Sequence, residues 1–248
     1  MTAIAIAYST DGFVLAADGR RRMDGSRELM RDQSISDKDD AQKVYECLTD
    51  QGTLACTFLG ETEYADRSFS VMSESMASKK VIHGPFSGLR SYAYALAGEL
   101  DERIEKAHRN GVPYPKCQLC VCGYFIGIPE VSLITFHRER ELGKPLFDVA
   151  MVNPHFGYND LFGPELLKGP ILNRTRGFEA FGPTLQQDCS MESAKDFVTL
   201  SIEACKSALA HLIDPQSIKN IGGHTHVATV TPSGFHWEIP PLNEVLTI

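Results

Sequence analysis

TAIAIAYSTDGFVLAADGR, residues 2–20 of a chain of 248, decides the fold that the sequence predicts. Its first part alternates Ile or Tyr with Ala, the period-two pattern of a strand whose small residues face a close neighbour. Asp11-Gly12 then supplies a turn, and 13–17 returns as a wholly apolar strand. The stretch therefore predicts a hairpin within a sheet that other layers cover.

The rest of the sequence continues in blocks of strand pattern and blocks of helix pattern. Apolar runs predict strands at 43–47, 53–58, 119–125, 131–136, 224–230 and 235–239. Apolar stripes at helical spacing predict helices at 65–76, at 89–104 and from Ser190 to Leu212. Polar residues make 23–40 a predicted loop, and frequent Gly and Pro make 143–183 a loop-rich insertion.

This order of elements predicts the α+β class. Along the chain, strands are followed by two helices, more strands, a third helix and the last strands. This order is typical of a four-layer αββα sandwich, in which two packed antiparallel sheets are flanked by helices. Because no internal repeat and no interdomain linker is evident, residues 1–248 are predicted to form a single domain.

Composition narrows the function class. With 43% hydrophobic and 23% charged residues, the sequence is that of an ordinary globular protein. It has no apolar run near the roughly 18 residues of a membrane helix and no secretory signal pattern, so a cytoplasmic protein is expected. A net charge of −8 opposes binding to nucleic acid or to an anionic membrane.

Metal and cofactor binding are not expected. Cys117, Cys120 and Cys122 stand close in sequence, but strand alternation puts Cys117 opposite the other two, and no second Cys pair completes four ligands. His224-x-His226 also shares one strand face. The seven cysteines are scattered, so reduced thiols are predicted.

Thr2 is a candidate nucleophile, provided that Met1 is removed. A hydroxyl nucleophile needs a base, and the α-amino group of a first-residue Thr can serve. Thr2 is small enough for removal of the initiator Met to be expected. Taken alone, Thr2 is better explained as an ordinary strand start.

The stretch 2–20 resembles the mature N-terminus of proteasome beta subunits and of the bacterial HslV peptidase. In those families the mature chain begins with Thr and forms a strand, which a DG- or HG-type turn connects to a second, apolar strand. The second strand ends in Ala-Ala-Asp or Ala-Gly-Asp, and a small residue and often Arg follow. A second block, Lys43-Val44-Tyr45 and the 57–62 segment TFLGET, is similar to the next family motifs, and the 191–238 segment is similar to the last helix and closing hairpin.

The resemblance implies a role for each candidate residue. Thr2 would be the nucleophile, Lys43 the buried ammonium beside it and Asp18 the carboxylate partner of Lys43. The Gly60 N–H would be the oxyanion donor. The Asp-x-x-Ser pair, Asp214 and Ser217, would support the N-terminal amine.

Two departures from the family pattern are visible. The loop 21–42 is longer than usual, and Lys43 is preferred to Lys38 because the Val-Tyr strand follows it. The family's Gly-Ser-Gly is absent, and its nearest counterpart in the sequence is Phe181-Gly182-Pro183-Thr184, where the proline has no N–H to donate.

The resemblance implies a threonine-type amidohydrolase, with a peptidase as the first choice, that works through an acyl-enzyme intermediate. Peptides or proteins would be the substrates, and a ring or related homo-oligomer is expected. An ATPase partner is compatible with this reading, although no residue argues for one. Two alternatives remain open: a noncatalytic structural subunit of the same fold, and a small-molecule amidase that uses the same N-terminal nucleophile chemistry.

Overall fold

The computed structural model describes residues 2–20, 42–60, 86–111, 114, 117–137 and 145–242. The loop predicted at 23–40 and the helix predicted at 65–76 lie outside these residues. The chain forms two compact units. The first unit comprises Met1–Val44, His155–Thr229 and His236–Ile248, and the second comprises Tyr45–Pro154 and Val230–Phe235.

Ten strands and five α-helices are found within the described residues. The strands are β1 Ile4–Tyr8, β2 Phe13–Asp18, β3 Val44–Thr49, β4 Gly52–Gly60, β5 Cys117–Phe125, β6 Ile128–Phe136, β7 Phe147–Val152, β8 Asn159–Phe162, β9 Thr225–Thr231 and β10 Gly234–Ile239. The helices are α1 Leu89–Arg109, α2 Glu165–Leu172, α3 Met191–Lys206, α4 Ala208–Ile213 and α5 Ser217–Asn220. Short 3₁₀ helices occupy Phe178–Phe181 and Leu185–Gln187.

The predicted hairpin is the centre of the first unit. Its sheet has the order β10-β9-β2-β1-β8, and β1 pairs with β2 in antiparallel register from Ile4 opposite Ala17 to Tyr8 opposite Phe13. The turn is closed by Ser9, whose hydroxyl donates to the Gly12 carbonyl at 2.8 Å and accepts the Gly12 N–H at 3.1 Å. Both strands are buried along their whole length, as predicted.

Helix α3 covers the alanine face of this hairpin. Ser190 caps it by accepting the Ser193 N–H at 3.3 Å, and its buried side chains join the strand alanines in one core cluster. The helix predicted from Ser190 to Leu212 is interrupted at Ser207, which is extended and caps a second helix, α4, by accepting the Ala210 N–H at 3.1 Å. Leu212 is consequently 81% exposed rather than buried.

The second unit has its own sheet and its own core. The strand order is β3-β4-β5-β6-β7, with antiparallel pairing from β4 through β7. Helix α1 places Leu89, Tyr92 and Leu96 in a buried cluster with residues of this sheet. The helix is therefore held by its apolar stripe, which the sequence predicted from the same residues.

The loop-rich prediction for 143–183 is corrected by the structure. Within the described part of this segment lie β7, β8 and α2. These elements have four to eight residues, and α2 contains Pro170, so the helical or strand period is too short or too interrupted to read from sequence.

The α+β class and the two antiparallel sheets are confirmed. The four-layer packing and the single domain stay predictions. All seven cysteines carry free thiols. In the part of the chain that the structure describes, no helix is long and apolar enough to cross a membrane, and no cluster of His, Cys, Asp and Glu is arranged to hold a metal ion.

Candidate active site

Asp18 is the centre of a buried polar cluster at the end of β2. Its carboxylate is completely buried. Oδ1 accepts the Ala3 N–H at 2.8 Å and the Lys43 ammonium at 2.9 Å, while Oδ2 accepts the Gly222 N–H at 3.1 Å and the Arg20 N–H at 3.2 Å. Four donors fix the orientation of this carboxylate, as burial of a charge requires.

Lys43 is the cation of the cluster. It lies one residue before β3, and its side chain is only 3% exposed. Besides Asp18, its ammonium donates to the Arg20 carbonyl at 2.6 Å. The two bonds hold a positive charge out of water beside its counter-ion.

Thr2 lies next to this ion pair. It is 4% exposed, and the residue that follows it, Ala3, donates to the same Asp18 oxygen as Lys43. Because two donors of one oxygen must be close to each other, the ammonium lies beside the start of β1. The structure thus brings together the predicted residues Thr2, Asp18 and Lys43.

Asp214 directly follows α4, and Ser217 is the first residue of α5. The Ser217 hydroxyl donates to the Asp214 carbonyl at 2.7 Å, and Asp214 Oδ1 accepts the Gln216 N–H at 3.1 Å. The Arg20 guanidinium donates to the Ile218 carbonyl at 3.0 Å and so connects α5 to the end of β2. Among the described residues, no side-chain hydrogen bond joins Asp214 or Ser217 to Thr2, so their support of the amine stays a prediction.

Gly60 belongs to the second unit, where it is the exposed last residue of β4. Its φ of 107° lies in the region that only glycine adopts without strain. A glycine is therefore required at this position by the backbone itself. Its role as oxyanion donor stays a prediction.

The residues that continue β8 toward the start of β1 are Gly163 and Pro164. Antiparallel pairing sets Ile4 opposite Phe162, so the chain that leaves β8 runs toward Thr2. The segment 181–184, chosen from sequence as the counterpart of Gly-Ser-Gly, instead precedes the 3₁₀ helix Leu185–Gln187, and Thr184 makes no side-chain cap there. The sequence did not reveal β8, so it gave no indication that Gly163 and Pro164 follow a strand paired with β1.

His226 is a site residue that the sequence analysis did not assign. It lies on β9 with 1% exposure, and its Nε2 accepts the Lys43 backbone N–H at 3.1 Å. Burial, aided by the charges of Lys43, His224 and Lys206, lowers the pKa of His226 to about 3, so the ring is neutral near pH 7. Strand alternation placed His224 and His226 on one strand face, but it could not indicate the partner of His226, which is 183 residues away.

Comparison with known proteins gives a fold but no family. No family model and no curated protein sequence matches this chain. A solved structure of Anbu (ancestral beta-subunit) from Yersinia bercovieri is similar, with 15% identity, a TM-score of 0.56 and coverage of 97% of this chain and 89% of that one. The helical assembly of the Anbu complex from Pseudomonas aeruginosa is similar at 14% identity and a TM-score of 0.60, covering 99% and 88%.

A third similar structure is an Anbu (Gly-1) mutant from Hyphomicrobium sp. strain MC1, with 14% identity, a TM-score of 0.51 and coverage of 98% and 89%. At such identities the matches establish the fold alone. They also correct the resemblance inferred from sequence, because these three structures are of Anbu proteins rather than of proteasome beta subunits or HslV. The N-terminal motifs belong to the hairpin and its buried ion pair, and these do not distinguish families within one fold.

Proposed function

We propose that this chain is a threonine-type amidohydrolase in which Thr2, exposed by removal of Met1, is the nucleophile. One observation carries the proposal: the buried Asp18 carboxylate is bonded both to the Lys43 ammonium and to the N–H of the residue after Thr2. A buried cation and its carboxylate beside the first residue of the processed chain can assist an N-terminal nucleophile. The Anbu-like fold supports the same reading.

The chemistry follows from these groups. The Thr2 hydroxyl attacks the substrate carbonyl carbon, and the α-amino group of Thr2 takes the proton through a water molecule. Lys43 is a fixed positive charge that favours the ionised hydroxyl, and a backbone N–H, which we assign to Gly60, stabilises the oxyanion. When the tetrahedral intermediate collapses, its C–N bond breaks and the α-amino group passes the proton to the leaving amine. The acyl group remains on Thr2 as an ester, which water then hydrolyses.

Peptides are the proposed substrates, and the chain is proposed to self-associate. The Anbu complex from Pseudomonas aeruginosa forms a helical assembly, and a shared fold makes assembly of copies of this chain a reasonable expectation. An ATPase partner remains a prediction without a structural argument.

Intact mass and a nucleophile variant test the proposal. We expect purified protein to lack Met1 and to hydrolyse some members of a fluorogenic peptide-amide panel, Thr2→Ser to retain activity, and Thr2→Ala to lose about 1,000-fold or more. Thr10→Ala, in the exposed turn after β1, is the matched control and is expected to keep full activity.

Two results would change the assignment. Retention of Met1 would overturn the assignment as a threonine hydrolase and favour a noncatalytic subunit of the same fold. Full activity of Thr2→Ala would overturn the assignment of Thr2 as the nucleophile. Hydrolysis of small amides without hydrolysis of peptides would favour the small-molecule amidase.

A further inference from the structure

The position of Lys43 depends on its main chain. A lysine ammonium sits on a flexible four-carbon stem, so its location is only as fixed as the backbone that carries it. Lys43 directly precedes Val44, the first residue of β3, and so lies outside the strand's own hydrogen-bonded ladder. What holds its backbone therefore matters for the site.

His226 contacts that backbone directly. Its Nε2 accepts the Lys43 N–H at 3.1 Å, which requires a neutral ring with the proton on Nδ1. The imidazole comes from β9, the strand beside the one that ends in Asp18, and its ring lies edge to face with Trp237 at 5.9 Å between centroids. The acceptor is thus held by the same sheet that carries the carboxylate.

We propose that His226 is a positioning residue, whose Nε2 fixes the Lys43 main chain so that the ammonium stays bonded to Asp18, beside the start of β1. This inference rests on the proposed function, because Lys43 is argued there to assist Thr2. An imidazolium could not take this place, since it has no lone pair for the N–H and would repel the neighbouring ammonium.

A pair of variants of similar length isolates the acceptor. Gln can present an amide oxygen near the position of Nε2, whereas Met fills similar space without a strong acceptor. With peptide hydrolysis as the readout, we expect His226→Met to lower kcat by about 10- to 100-fold with little change in KM, because the displaced group acts on the chemical step. His226→Gln is expected to recover most of that loss, and His236→Met, at an exposed position of β10, is the control without effect.

Hydrogen exchange supplies a readout that does not need activity. The Lys43 amide is expected to be protected in the wild type and in His226→Gln, and to exchange about tenfold faster or more in His226→Met. Equal protection in all three proteins, or wild-type kcat in a folded His226→Met protein, would overturn the positioning role. Should His226→Met fail to fold, ¹⁵N NMR of the wild-type ring decides, because a proton on Nε2 would contradict the inference.

The two proposals fail in distinguishable ways. Absence of hydrolysis by the wild type, with Lys43 protection still dependent on His226, would overturn the threonine hydrolase and the catalytic consequence of His226 while leaving the hydrogen bond established. Hydrolysis that depends on Thr2 but not on His226 would overturn the positioning role alone.

Discussion

Asp18 accepts three backbone N–H groups in addition to the Lys43 ammonium, so its carboxylate ties together the start of β1, the chain after β2 and the segment at Gly222. An amide in its place could accept some of these bonds but carries no charge. Lys43 would then be a buried cation without its counter-ion. At the scale of single residues, stability and the proposed chemistry therefore depend on the same pair.

The Asp18→Asn variant is expected to lose about 3–5 kcal/mol of unfolding free energy, the usual cost of leaving one partner of a buried ion pair alone. Urea unfolding at pH 7 measures it. Asp148→Asn is the control, because that carboxylate is 81% exposed where it meets His137, and a change within about 0.5 kcal/mol is expected. A loss below about 1 kcal/mol for Asp18→Asn would contradict the importance of the pair.

The low pKa of His226 predicts a component of acid instability. Burial, with the charges of Lys43, His224 and Lys206, lowers its pKa from 6.5 to about 3. Between these values the unfolded chain binds a proton that the folded chain does not, so stability falls as the pH drops from about 6.5 toward about 3, by up to about 1.4 kcal/mol per pH unit. His226→Met lacks this component, and its urea midpoint should depend less steeply on pH. If the urea midpoints of the wild type and of His226→Met changed equally with pH, the prediction would be refuted.

At the scale of elements, a helix or strand could be predicted from sequence when it was long and its apolar residues recurred regularly. The hairpin β1–β2 and helix α1 carry sustained apolar periods and were found. The four-residue β8 and the Pro-containing α2 were not, because so few residues cannot define a period. The break at Ser207 was missed because the apolar stripe continues across it, while a serine hydroxyl capping α4 decides the local conformation.

The site was predictable to the extent that it lies on such elements. Asp18 and Lys43 lie at the ends of strands that the sequence reveals, and the family resemblance implied their pairing. The His226 contact with Lys43 could not be predicted, because it joins residues 183 positions apart that only the folded chain brings together.

Helix α1 offers a test of element stability at Gly98. A Cβ at this position would meet nothing within 4 Å, so Gly98→Ala is expected to stabilise the protein by about 0.5–1 kcal/mol through the lower flexibility of the unfolded chain. Gly123→Ala in β5 is the contrasting variant, since its Cβ would lie 2.2 Å from the Thr53 carbonyl at a φ of +141°. The midpoint temperature of thermal unfolding should rise for Gly98→Ala and fall for Gly123→Ala. A lower midpoint for Gly98→Ala would contradict the prediction.

At the scale of the whole molecule, the similar structures cover 97–99% of this chain, so both units belong to the matched fold. Within the described residues, each unit has a hydrophobic core of its own, formed by a sheet and by one helix in the second unit and several in the first. The surface of the first unit also bears large exposed apolar side chains, Leu166, Leu212 and Leu242. Contact between copies could bury such side chains, while the net charge of −8 opposes it.

The proposed self-association is therefore expected to strengthen with salt. The Debye length falls from about 30 Å at 0.01 M salt to about 8 Å at 0.15 M, so repulsion between copies of net charge −8 is screened while apolar burial is retained. Sedimentation velocity of micromolar protein should show the mean mass rising above the 27.4 kDa of one chain as NaCl is added. Glucose at equal osmolality does not screen charge and should leave the mass unchanged. A single-chain mass at every salt concentration would contradict self-association, and a mass that falls with salt would show that ion pairs, not apolar contacts, join the copies.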